Sequence, residues 1–193
     1  MQTLVPEEFD RIYHIMEESF PEDERRPYAG QRALLDEPAY RIYTRPDPER
    51  GEPMAFLAVW DFECFAYIEH FAVAPAHRCG GVGSRLLREL IAQLGKPVCL
   101  EVEPPETEPA VRRIGFYRRC GFFLNEYPYL QPPLAPGRST LPLLVMTTGG
   151  PVSRPQFEQI RDVLYARVYR LSPQQAAQLQ AETSDPGCSH DPF

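Results

Sequence analysis

The sequence predicts a mixed α/β (α+β) fold, a sheet with helices on its faces, and three observations predict it. Residues 67–73, Y-I-E-H-F-A-V, form a short apolar and aromatic run, the pattern of a buried strand. A glycine-rich turn at residues 78–83, R-C-G-G-V-G, leads from Val82 into apolar positions at Leu86, Leu87, Leu90, Ile91 and Leu94, one face of a helix. From residue 67 onward the apolar patterns then run strand, helix, strand, helix, strand, strand, an alternation that calls for a layered sheet.

Each element has its own signal. Residues 6–20 read as a helix: Phe9, Ile12, Tyr13, Met16 and Phe20 share a face, Pro6 suits the first turn and Pro21 ends it. A charged loop spans residues 21–28, and residues 31–35 are expected to form a short second helix. Strands are expected at 40–44 and 54–61, the second pairing antiparallel with 67–73. The helix from Val82 should end at Gly95, with Pro97 just beyond. Residues 97–102 read as a strand, 110–119 as a helix, 121–124 as the start of a strand, 127–138 as an aromatic, proline-rich loop and 141–147 as the last strand. A helix over 155–171 carries Phe157, Ile160, Leu164, Val168 and Leu171 on one face, and 174–180 extends it. The expected organisation is a main domain over 1–148, a helical extension over 149–182 packed on it, and a disordered tail over 183–193.

Bulk properties exclude several classes. A chain of 193 residues with 43% hydrophobic and 24% charged residues fits one soluble domain with a full core. The net charge of −7 argues against nucleic acid as a partner and is compatible with a cationic one. The five cysteines lack C-x-x-C spacing, and Cys64, Cys99 and Cys120 are expected in the core, so a reducing, cytoplasmic setting is expected. No signal peptide or membrane span is evident. His14, His70, His77 and His190 lack metal spacing, and no metal is expected.

The glycine turn is an anion cradle: amides at a helix start are unpaired and partly positive, and glycine lets a phosphate approach them. It is not a Walker loop, for Val82-Gly83-Ser84 holds no lysine, and it is not a dinucleotide fingerprint, for Leu86 stands where the last glycine would. What remains is V-x-P-x-x-R-x-x-G-x-G, made by Val73, Pro75, Arg78, Gly81 and Gly83. This resembles the coenzyme A signature of the GNAT superfamily of acyl-CoA-dependent N-acetyltransferases, and Tyr117 to Phe122, Y-R-R-C-G-F, is similar to a second motif of that family.

The resemblance implies a mostly antiparallel sheet whose central strands splay apart to admit coenzyme A, with the C-terminal helix as an addition. It implies acetyl transfer from acetyl-CoA to a primary amine by direct attack, with no acetyl-enzyme. The cofactor residues it implies are the main chain of Phe71, Ala72 and Val73, the cradle Arg78, Cys79, Gly80, Gly81, Val82, Gly83 and Ser84, and Tyr117 as acid toward the departing sulfur. Ala110 and Arg113 stand where family members often carry Asn and Ala.

An amine must be neutral to attack, so a base or a desolvated site helps. Glu69 on the central strand is the first candidate, with Glu101, Glu103 and His70 as rivals; strand alternation puts His70 on the face opposite Glu69. The resemblance also implies that the 21–28 loop contacts the acceptor, so Glu22, Glu24, Arg25 and Arg26, together with Glu101, are expected to meet a small-molecule or peptide amine. Tyr165 and Tyr169, expected exposed, leave a homodimer through the C-terminal helix open beside packing on the sheet. The alternative function is a catalytically degenerate coenzyme A-binding sensor or interaction module of the same fold.

Overall fold

The computed structural model describes residues 1–184. In chain order the elements are β1 (Gln2–Thr3), α1 (Phe9–Ser19), α2 (Tyr28–Ala33), β2 (Tyr40–Pro46), β3 (Pro53–Asp61), β4 (Ala66–Val73), α3 (Val82–Leu94), β5 (Val98–Val102), α4 (Glu108–Arg119), β6 (Phe122–Gln131), β7 (Leu141–Thr148), α5 (Arg154–Val163) and α6 (Pro173–Ser184). The expected tail falls partly on α6, and its residues from 185 onward lie outside those described.

The strands form one seven-stranded sheet in the order β1-β2-β3-β4-β5-β7-β6. All neighbours are antiparallel except β4 and β5, which run parallel. That pair holds only from Ala66↔Val98 to Ile68↔Leu100. Beyond Ile68, β4 stays paired with β3 through Ala55↔Val73, while β5 stays paired with β7 through Val102↔Leu144. The two central strands therefore part, and the edge of β4 from Glu69 to Val73 faces a gap.

Alternation along the strands fills two cores. On one face Leu57, Val59, Ile68, Val98 and Leu100 pack against Leu86, Leu87 and Leu90 of α3 and Ile114 of α4. On the other, Phe56, Trp60, Tyr67, Tyr129 and Val145 pack against Phe9, Ile12 and Met16 of α1 and against Phe157 of α5. Leu164, Tyr165 and Val168 join the second core, so the C-terminal segment is built into the same body.

The helix ends follow their local chemistry. Gly81 and Gly95 flank α3 in the left-handed region, with φ of 70° and 60°, where a side chain is strained. The Thr107 hydroxyl caps α4 by accepting from the Ala110 amide at 3.3 Å. Ser153 and Gln156 form a capping box on α5.

Several expectations are corrected. Residues 127–131, read as loop, continue β6, because Tyr129 and Leu130 pair with Leu143 and Pro142 of β7. The single helix read over 155–171 ends as α at Val163 and continues as a π turn over Leu164–Val168. Cys64 is exposed in the turn between β3 and β4, whereas Cys99 and Cys120 are buried. Tyr165 is 1% exposed and Tyr169 is partly buried, so neither is the exposed side chain that was expected.

Candidate active site

The gap between β4 and β5 opens into a cavity of about 770 Å³, within the range of small-molecule sites. It reaches both faces of the sheet. On the α3/α4 face it is lined by the glycine turn and Tyr117, and on the α1/α5 face by Glu69, His70 and Glu101.

On the first face, Arg78, Cys79, Gly81, Val82, Gly83 and Ser84 line the cavity at the start of α3. The amides of the first turn have no partner within the helix and point outward along its axis. Ser84 Oγ donates to the Gly81 carbonyl at 3.1 Å and Arg78 Nε to the Val73 carbonyl at 3.1 Å, which ties the turn to the end of β4. A Cβ on Gly81 would meet the flexible Arg85 guanidinium at 3.1 Å and Ser84 Oγ at 3.9 Å. A Cβ on Gly83 would meet Val73 Cγ2 at 2.9 Å and Phe71 Cζ at 3.0 Å. Gly83 thus serves the close seating of α3 on β4, whereas Gly81 leaves backbone open. Arg88 of α3 and Arg113 and Arg119 of α4 also line this side. A bare strand edge, an open helix start and several arginines suit an elongated ligand carrying phosphates.

Tyr117 sits against Phe116 and Phe122, with ring centroids 5.3 Å and 5.7 Å away. Burial pushes its phenol up to about 12, against a small opposing pull from Arg113. It therefore stays protonated across the working pH range. Cys120, beside it in the cavity, has its thiol pushed up by burial as well.

On the second face a β-bulge changes the expected geometry. Ala58 pairs with His70 but Val59 pairs with Ile68, so Glu69 is the extra residue. The bulge turns Glu69 and His70 to the same face, with Glu69 Oε2 3.7 Å from His70 Nδ1, where simple alternation puts them on opposite faces. His70 Nε2 lies 2.9 Å from the Glu24 carbonyl, and the ring is 2% exposed.

Glu69 is not a free carboxylate. Arg26 pairs with Oε1, and its other amino group donates to the Val168 carbonyl at 3.1 Å. Burial disfavours the Glu69 anion, but Arg26 and His70 together outweigh it and hold the carboxyl at about 2. Such a group takes up a proton poorly at neutral pH.

Glu101 lies across the gap on β5, ringed by three phenols. Tyr67 of β4 and Tyr169 each donate to Oε2 at 2.8 Å, and Tyr129 of β6 donates to Oε1. Burial raises its pKa above the usual carboxylate value, and the tyrosine hydrogen bonds only partly offset the rise. It keeps partial exposure to the cavity.

The 21–28 loop mostly turns away from the cavity. Glu22 pairs with Arg138, Arg25 donates to the Tyr13 hydroxyl at 3.0 Å, and Arg26 is consumed by Glu69. Glu24 alone of the four lines the cavity, its pKa raised by burial and by nearby Glu103. Glu103 pairs with Arg113. The sequence reading missed Arg88, Arg119, Tyr67, Tyr129 and Tyr169. The arginines carry a readable signal, for both sit on the helices that flank the glycine turn and Tyr117. The tyrosines carry none, since they meet only through the sheet and the C-terminal turn. Among the described residues, no group of three or more His, Cys, Asp or Glu is placed to hold a metal, and no helix is long and apolar enough to cross a membrane.

This fold and site define an acyltransferase, and the comparisons agree. The Acetyltransferase (GNAT) family model matches residues 9–122, and the chain belongs to that family. A structure assigned to the GNAT family of acetyltransferases, from Bacteroides thetaiotaomicron, is 36% identical with a TM-score of 0.79, covering 89% of this chain and 98% of that one. The ribosomal-protein-S18-alanine N-acetyltransferase from Escherichia coli shares the fold at 22% identity and a TM-score of 0.57, covering 79% of this chain and 94% of that one. An aminoglycoside 6'-N-acetyltransferase complexed with coenzyme A does so at 16% identity and a TM-score of 0.53, covering 77% and 96%. No protein of curated function matches the sequence.

Proposed function

We propose that the protein transfers an acetyl group from acetyl-CoA to a primary amine by direct attack, with Glu101 as the base and Tyr117 as the donor to sulfur. The observation that carries this reading is the parting of β4 from β5. A bare strand edge and a glycine turn on one face, and a carboxylate of raised pKa on the other, line one cavity and support the reading.

Acetyl-CoA supplies an activated acetyl thioester. The first turn of α3, with Arg78 and Arg88, would hold its phosphates. The open edge of β4 at Phe71, Ala72 and Val73 would align its pantetheine and polarise the carbonyl through main-chain amides. Tyr117, always protonated, hydrogen-bonds the leaving sulfur; a phenol pushed to about 12 stabilises a thiolate chiefly by that bond. The raised Cys120 thiol is a poor nucleophile in this site, which supports direct attack over an acetyl-enzyme.

Glu101 takes the place sequence reading gave Glu69. A base works best when its pKa lies near the working pH, and burial moves Glu101 in that direction whereas Arg26 moves Glu69 away from it. Glu69 instead anchors the loop before α2 to β4. Glu24, Glu101 and Glu103 give the acceptor mouth an acidic lining, suited to a cationic amine that is deprotonated only on arrival. The free thiols of Cys64, Cys79, Cys99 and Cys120 support a cytoplasmic setting.

Amine-dependent release of coenzyme A thiol tests this reading. A panel of butylamine, alaninamide and lysine methyl ester samples simple, peptide-like and dicationic acceptors. Cofactor binding with no turnover on any primary amine would favour a sensor instead.

A further inference from the structure

The part of the chain beyond the last strand lies outside the region matched by the family, residues 9–122, yet it reaches the reacting centre. Helix α5 ends at Val163 and widens into the π turn Leu164–Val168, closed by the Tyr169 amide on the Leu164 carbonyl at 3.0 Å. Arg170 follows in the left-handed region with φ of 55°, and the Leu171 amide bonds the Tyr165 carbonyl at 2.9 Å. Turns of this kind often mark functional positions in helices. The turn leaves the Tyr169 hydroxyl 2.8 Å from Glu101 Oε2 and 3.3 Å from the Tyr67 hydroxyl. Its other anchor is Arg26, which donates to the Val168 carbonyl while pairing with Glu69.

We propose that Tyr169 is a positioning residue that fixes the Glu101 carboxylate in the acceptor pocket, so that the C-terminal π turn is a working part of the active site. The inference rests on the reading of Glu101 as the base. Two of the three hydrogen bonds to Glu101 come from the sheet itself, from Tyr67 and Tyr129, and set its height above β5. Tyr169 supplies the third from the C-terminal segment and shares Oε2 with Tyr67. A carboxylate held on both oxygens cannot rotate freely, and three hydrogen bonds leave one of its four acceptor sites, on Oε1, for a proton.

The groups that face Glu101 from each packed element are few. Tyr67 and Glu69 face it from β4, Cys99 from its own strand, Tyr129 from β6, and Tyr165 and Tyr169 from the C-terminal segment. The cation behind them is Arg26, held by Glu69. Of these, the three hydrogen-bonding tyrosines favour the anion, while Glu69 and burial oppose it. Removing the Tyr169 hydroxyl therefore raises the pH at which Glu101 ionises.

The test is a carbon NMR titration of the full chain labelled at glutamate Cδ, with the Glu101 resonance assigned by its loss in Glu101→Gln. In Tyr169→Phe the Glu101 midpoint is expected to move upward by about 0.5 pH units or more. The control is Tyr165→Phe in the same segment. Its hydroxyl donates to the Leu130 carbonyl at 2.7 Å and not to Glu101, so that variant lowers melting temperature without moving the midpoint. An unmoved midpoint in folded Tyr169→Phe, or an equal shift in both variants, overturns the proposal. Thiol release with acetyl-CoA and the amine panel then separates the layers. Full turnover in Glu101→Gln removes the base assignment and this inference with it. Lost turnover in Glu101→Gln with an unmoved midpoint in Tyr169→Phe removes the inference alone.

Discussion

The guanidinium of Arg26 closes on the carboxylate of Glu69, and the two side chains are only 10% and 3% exposed. Arg26 comes from the loop between α1 and α2, and Glu69 from the bulge of β4. The pair turns Arg26 away from the cavity lining and holds the Glu69 carboxyl well below the usual carboxylate range, which is why Glu101 rather than Glu69 is proposed as the base.

Arg26→Ala is expected to destabilise the fold by about 3–5 kcal/mol, because it leaves a buried carboxylate without its partner. Denaturant unfolding at neutral pH measures this. A loss below about 1 kcal/mol would mean that the pair is far more hydrated than its burial indicates.

The same pair predicts an acid response. Glu69 sits at about 2 in the folded protein, below the ordinary carboxylate value of 4.5. A depressed folded pKa contributes stability that is present above the unfolded value and lost as pH falls through the folded one. Unfolding free energy should therefore decline between about pH 4.5 and pH 2, and part of that decline should vanish in Glu69→Gln. An identical acid slope in the variant would contradict the pairing.

The two glycines of the cradle should fail differently. Gly81→Ala places a side chain at φ of 70° in the open turn and should weaken coenzyme A binding with a small loss of stability. Gly83→Ala drives a methyl against Val73 and Phe71 and should lower melting temperature and affinity together. Calorimetric titration with coenzyme A beside thermal unfolding distinguishes them. Equal profiles would show that both glycines act in one way.

Tyr117→Phe should lower kcat by about 10²-fold or more while leaving coenzyme A affinity nearly unchanged. The ring still packs on Phe116 and Phe122, and among the described residues the phenol makes no hydrogen bond, so melting temperature should hold. Turnover within a few-fold of wild type would take the hydroxyl out of the mechanism.

What was legible in the sequence was local. The R-x-x-G-x-G turn between a strand and a helix is written in consecutive residues, and so are the amphipathic faces of α1, α3 and α5. The bulge at Glu69 was not legible: alternation assumes one residue per step, and the extra residue shows only when β3 is laid beside β4. The bonds to Glu101 were not legible either. They join side chains from β4, β6 and the C-terminal turn, which are brought together by the order of the sheet. Tyr169 shares a helical face with Tyr165, and sequence alone does not tell which core that face meets. The loop at residues 21–28 reads as an acceptor loop from its place in the family pattern, but its arginines are spent on internal partners.

The most direct test of the central claim is thiol release from acetyl-CoA with the amine panel, comparing wild type with Glu101→Gln. The account predicts amine-dependent release by the wild type, one acetyl-amine formed per thiol, and a rate lower by about 10²-fold or more in the variant with coenzyme A affinity unchanged. Tight coenzyme A binding with no amine-dependent release by the wild type, or undiminished release by Glu101→Gln, would contradict it.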